Sequence, residues 1–191
     1  MLYVSLYCNL PQMCRHEYGA HWLHDPTHCP NLVPNEIDEQ LFEANDVPST
    51  STMEVTVKYA EFSRQHTSLV EFWNDWNRAY VQATFPRLMI RFEDIVFHPK
   101  QVTHTVCECA GGKIHADKPF KYVVESAKKG SAHGTEKTSY VDALVKYGTE
   151  VGRYTGFTND DLQYAQNHLD PELMRLFGYR YPSPRHIVST E

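Results

Sequence analysis

Apolar and polar positions change period several times along the chain, and each change marks an element. The opening "MLYVSLYC" is β-branched and aromatic enough to predict a short strand, although its alternation is poor. A helix is predicted from Gln12 to Leu23, stopping at Asp25-Pro26 because a residue before proline is pushed out of helical geometry. Pro26 to Thr52 is rich in Pro, Asn, Asp and Ser, with only "IDEQLF" spaced as a helical turn, and reads as a long surface excursion. "MEVTVKYA" (Met53 to Ala60) alternates and predicts a strand. In "TSLVEFWNDWNRAYV", Leu69, Phe72, Trp73, Trp76 and Tyr80 share one helical face behind a Ser/Thr cap.

Further on, "PRLMIRFEDI" predicts a strand running out into the acidic corner Glu93-Asp94. "HPKQVTHTVCECAGG" predicts a helix, with Pro99 near its start and Gly111-Gly112 past its end. "TSYVDALVKYG" is another, ended by Gly148, and "TNDDLQYAQNHLDPELMRLFGY" predicts two more, capped by Thr158 and Asp170 and closed by Gly178. Strands alternating with helices predict an α/β class with a mainly parallel sheet flanked by helices. The strands near Met53–Tyr59 and Leu88–Phe92 are expected in one sheet, with Trp73 and Trp76 buried against it. A chain of 191 residues fits one domain, 1–182, and residues 183–191 read as a loose tail.

Three Trp, twelve Tyr and nine Phe argue for a packed core, since burying them offsets the entropy of ordering the chain. A net charge of −6 gives no reason to expect nucleic acid as a partner, although a local basic cluster can still hold a small anion. No apolar run approaches the ~20 residues that span a bilayer. The opening residues have no basic n-region or small-residue cleavage site, so no secretory signal is expected. Five cysteines leave the redox compartment open.

"CRHEYGAHWLHDPTHC" (Cys14 to Cys29) packs two cysteines and four histidines into one stretch. A zinc site needs four ligands converging at about 2 Å. His21 and His24 can share a helical face, but Asp25-Pro26 interrupts it before His28, and the spacing does not match paired Cys or His motifs. In an oxidising lumen a Cys14–Cys29 disulfide is the expectation instead, leaving Cys8, Cys107 and Cys109 as core thiols. No metal is expected.

The run "SLVEFWNDWNRAY" followed by "PRLMIRFEDIVFHPKQVTHTVCECAGG", and the ending "TNDDLQYAQNHLDPELMRLFGY", resemble the PAPS-dependent sulfotransferase family. The strand end Arg91-Phe92-Glu93-Asp94-Ile95 with Pro99 close behind, and the final Phe177-Gly178-Tyr179, carry the likeness over Met13 to Pro182. The resemblance implies a nucleotide-kinase-like fold and transfer of a sulfuryl group from PAPS to a hydroxyl or amine of a carbohydrate or small molecule. Glu93 and Asp94 are expected to brace the turn by accepting backbone N–H groups rather than to catalyse.

The loop "AKKGSAHG" resembles the family's basic, glycine-containing loop over the donor's 3′-phosphate, which makes Lys128, Lys129, Gly130 and Ser131 donor-binding candidates. A solvated basic loop is the competing assignment. Arg15 is a candidate phosphate contact, and His16, Trp22 and His24 are candidate acceptor contacts. No Gly-rich Lys-Ser/Thr loop occurs in the chain, and "CAGGK" follows a predicted helix instead of opening one. Gln12 and Val4 stand where relatives carry a Ser and a basic residue, so residues 1–12 are expected to be foreign to the domain and the chain to be N-terminally truncated. No catalytic residue is assigned. The alternatives are a non-catalytic remnant of the fold and a zinc-binding module at Cys14–Cys29. Localisation stays open, with a Golgi lumen implied only for a longer eukaryotic relative.

Overall fold

The computed structural model describes residues 31–182 apart from 45, 47, 48, 59, 60, 116, 123–138 and 155. The expected opening strand, the Gln12–Leu23 helix, the Cys14–Cys29 stretch, the Lys128–Ser131 loop and the tail 183–191 lie outside those residues. The chain forms two units. One is Phe85–Arg153; the other, the split unit, joins the described residues up to Thr84 to those from Tyr154 onward.

In the split unit, "IDEQLF" belongs to α1 (Glu36–Ala44), whose start is held by Asn35 Oδ1 accepting the N–H groups of Ile37 and Asp38. Asp38 and Phe42, four residues apart, share the buried face of α1. Asp38 accepts from the Asn31 N–H and amide and from the Asn35 N–H, so the buried carboxylate folds residues 31–35 back onto the helix. β1 (Val55–Lys58) falls inside the predicted strand and pairs antiparallel with β2 (Ser63–His66), Val55 opposite His66 and Lys58 opposite Ser63.

α2 (Leu69–Gln82) begins at Ser68, whose hydroxyl accepts the Glu71 N–H at 3.1 Å. α7 (Asn159–His168) starts with a reciprocal Thr158–Asp161 capping box, and α8 (Pro171–Leu176) starts at Asp170. Gly178 at φ +64° lets the Tyr179 N–H turn back to the Met174 carbonyl at 2.9 Å. Leu32, Phe42, Val55, Leu69, Val70, Leu162, Leu169 and Met174 form the core, with Trp73, Tyr154, Phe157 and Tyr179 packed against it.

The Phe85–Arg153 unit contains α3 (Phe92–Phe97), α4 (Pro99–Cys109) and α5 (Tyr140–Gly148), followed by α6 (Glu150–Tyr154), which runs one residue past it. Pro99 occupies the first turn of α4, where its missing N–H costs nothing, and Gly111 at φ +72° follows its end. Val96 is the one buried residue of this unit among those described. The Tyr140 hydroxyl donates to the Val96 carbonyl at 2.8 Å, and the Phe92 and Tyr147 rings meet edge to face at 5.5 Å, tying α3 to α5.

The described residues are mainly helical, with one antiparallel strand pair; no parallel sheet forms among them. Three expectations need correction. Leu88 to Arg91 carry no strand and Phe92 opens a helix, because a strand exists only where a neighbour completes its ladder. On α2 the buried positions are Leu69, Val70 and Asn74; Trp73 is partly buried, while Trp76 remains 43% exposed. Cys107 is half-buried and Cys109 exposed at the end of α4, so neither is a core thiol.

Candidate functional site

The corner after Leu88–Ile90 is braced as expected by a backbone donor, the Arg91 N–H, and more strongly by a donor the sequence did not point to. Asp94 accepts the Arg91 guanidinium at both oxygens, from Nε at 2.6 Å and Nη2 at 2.5 Å. This bidentate bond is the main reason the Asp94 carboxyl is held below its ordinary pKa; nearby His98 adds a smaller effect in the same direction. The side chain therefore works as an architectural anchor at the entry to α3.

Two cavities open beside this corner, both within the Phe85–Arg153 unit. One, of about 400 Å³, is lined by Leu88 to Arg91, Asp94, His98, Gln101, Val102 and Thr105. The other, of about 410 Å³, is lined by Phe97 to Gln101, His104, Tyr122 and Tyr140. Its lining holds two imidazoles and an ammonium but no carboxylate. The first turn of α4 also carries no acid, and His98 at its start makes no side-chain cap. The lysine ammonium, the imidazole N–H donors and an uncapped helix start together favour an anion. Charge along the chain points the same way. Residues 85–153 hold eleven Lys and Arg against eight Asp and Glu, whereas the whole chain is −6.

The two tyrosines of this cavity are 18 residues apart in sequence, yet their rings lie 6.2 Å apart at 33°. They flank the segment carrying Lys128, Lys129, Gly130 and Ser131, which itself lies outside the described residues. Arg15, His16, Trp22 and His24 lie outside them too. His98, Lys100 and His104 were not assigned from sequence. A signal was there: "HPKQVTH" places three basic groups and no carboxylate at a proline-marked helix start.

The split unit holds a second polar cluster. His66 Nδ1 lies 3.0 Å from Asp75 Oδ2, the His66 side chain is 3% exposed, and its ring meets Phe72 edge-on at 5.2 Å. Arg64 and Arg78 each approach Asp75 at 3.6 Å, and Arg78 also binds Asp170. A His–Asp pair is a familiar catalytic element, but His66 Nε2 is enclosed and meets no partner among the described residues. The pair ties β2 to α2. Burial opposes ionisation of Asp170, but the Arg78 guanidinium and the Leu173 and Glu172 N–H groups outweigh it and lower its pKa. At Asp161 burial wins: its pKa is raised although the carboxylate accepts the Val33 and Thr158 N–H groups.

Among the described residues no group of three or more His, Cys, Asp or Glu side chains is placed to hold a metal, and no helix is long and apolar enough to cross a membrane. No family model, curated protein or solved structure matches the chain.

Proposed function

We propose that the chain is a sulfotransferase-like domain that binds the nucleotide of the donor PAPS through Lys128, Lys129, Gly130 and Ser131. In relatives of this type the sulfuryl group passes to a hydroxyl or amine of a carbohydrate or small molecule. One observation supports the proposal beyond the sequence motifs. The residues flanking the Lys128–Lys129 segment, Tyr122 and Tyr140, line an acid-free cavity that His98, Lys100 and His104 also line. A basic segment that leaves and re-enters the chain at a cationic cavity suits a phosphate monoester, which draws charge-assisted hydrogen bonds from ammonium and backbone N–H donors. The mainly parallel sheet of that family's architecture is part of the same proposal.

Sulfuryl transfer needs preorganised donors around the moving group, and losing even one costs about 10²–10³ in rate. The 191 residues contain no Gly-rich Lys-Ser/Thr loop to supply them. The expected behaviour is therefore nucleotide binding without turnover. Calorimetric titration with 3′-phosphoadenosine 5′-phosphate should show weak binding that fades as salt rises and drops on Lys128→Ala and Lys129→Ala. Binding indifferent to both changes would remove the site. PAPS-dependent sulfation above background by the purified chain would show that it carries catalytic groups not assigned here.

A further inference from the structure

The cavity beside α4 has a lining of two chemical kinds. Lys100, His98 and His104 supply cationic and imidazole nitrogens, while Phe97, Tyr122 and Tyr140 supply rings. The Lys100 and His104 side chains make no hydrogen bond or ion pair among the described residues, so their side-chain donors remain uncommitted. Tyr140 spends its hydroxyl on the Val96 carbonyl and offers its ring. Tyr122 is 53% exposed and meets Phe120 edge-on at 5.0 Å, so an aromatic surface continues outward from the cavity. Organic ligands favour this composition, an apolar wall with a few convergent polar groups, in a space of about 300–1,000 Å³.

We propose that this cavity binds a small planar-ring oxyanion, an aryl phosphate or aryl sulfate ester. The oxyanion meets Lys100, His98 and His104, and the ring lies among Phe97, Tyr122 and Tyr140. Neither half suffices alone. Solvent-exposed cations hold a bare ion weakly, because water screens the attraction. A ring without its anion leaves the cations unpaired and gains only the contact of partly exposed aromatics. The signature is therefore a ligand that binds more tightly than either of its parts. The cavity is the one that supports the nucleotide proposal, but the contacts named here are Lys100, His98 and His104, so changes at these residues and at Lys128 and Lys129 tell the two proposals apart.

The test is an NMR titration of the full chain with phenyl phosphate, inorganic phosphate and phenol, each added separately. Phenyl phosphate should bind at least about tenfold more tightly than inorganic phosphate, with the largest shifts at His98, Lys100, His104 and Tyr122. Lys100→Gln and His104→Gln should each weaken it roughly five- to tenfold, the range of a charge-assisted hydrogen bond at a partly exposed site. Tyr122→Leu should reduce phenyl phosphate to the affinity of the inorganic ion. Lys128→Ala and Lys129→Ala should change nothing. Equal binding of the ester and the bare ion overturns the proposal, as does indifference to Lys100 and His104. Loss on the Lys128 and Lys129 changes alone would move the ligand to the nucleotide segment and overturn this site while leaving that function standing. Aryl binding as expected with no nucleotide binding would do the reverse. The shift map in the unmodified chain locates the ligand even if a variant fails to fold.

Discussion

Asn74 is a polar residue in the buried stripe of α2, 3% exposed, and its amide joins two parts of the chain remote in sequence. Nδ2 donates to the His168 carbonyl at 2.8 Å and Oδ1 accepts the Asp170 N–H at 3.0 Å, both across more than 90 residues. Together they hold the turn between α7 and α8 against α2. Truncation to alanine strands one backbone acceptor and one backbone donor where water has little access. At about 1–3 kcal/mol for each stranded group, discounted because both sites are only part-buried, Asn74→Ala should cost roughly 2–4 kcal/mol. Asn74→Asp keeps an acceptor for Asp170 but turns a carboxylate oxygen toward the His168 carbonyl, so it should cost at least as much. Asn77→Ala is the control. Its amide bonds only to the Trp73 carbonyl within the same helix, and its loss should stay within about 0.5 kcal/mol. Urea unfolding followed by tryptophan fluorescence reads the split unit through Trp73 and Trp76. An Asn74→Ala midpoint matching that of Asn77→Ala would refute the claim that these two bonds fasten the helices.

Two further outcomes follow from single residues. Burial raises the Asp161 carboxyl, so the folded state holds that proton more tightly than the unfolded chain does. Its contribution to stability is full below the ordinary aspartate range and is lost as pH rises through the folded midpoint. A carbon-detected titration should find that midpoint above the ordinary range; one at or below it would mean the Val33 and Thr158 N–H bonds dominate instead. At Gly152 in α6, a Cβ would fall 2.0 Å from the Lys146 carbonyl oxygen and 2.8 Å from Thr149 Oγ1. Gly152→Ala must therefore shift backbone, at about 1–3 kcal/mol, and amide exchange through α5 and α6 should quicken by about 5- to 100-fold. Unchanged exchange would show that the turn adjusts freely.

Helix starts and stops were legible because they depend on residues three or four positions apart. Ser68, Thr158 and Asp170 cap as their sequence context requires, Pro99 opens α4, and Gly178 closes α8. β2 was illegible for the opposite reason. "SRQH" has no apolar residue to mark it, and it is a strand because its backbone completes the ladder of β1. Leu88–Arg91 has the apolar residues of a strand, but no partner pairs with it among the described residues. Side-chain type misled on α2 as well. Counting large apolar residues selects Leu69, Phe72, Trp73, Trp76 and Tyr80; Leu69 is buried and Phe72 and Trp73 pack against the core, but Trp76 and Tyr80 stay exposed while Val70 and Asn74 turn inward. An amide with two distant backbone partners can be buried where an indole without a matching hollow is left half out.

The cavity shows the same division. Its basic groups sit in one readable run, "HPKQVTH", but Tyr140 reaches it only when α5 is set against α3 by the Tyr140–Val96 bond and the Phe92–Tyr147 contact. Local energetics, which act within a turn of helix, were written in the order of residues. Partners, faces and cavities depend on which remote groups satisfy one another, and only the folded chain brings those together.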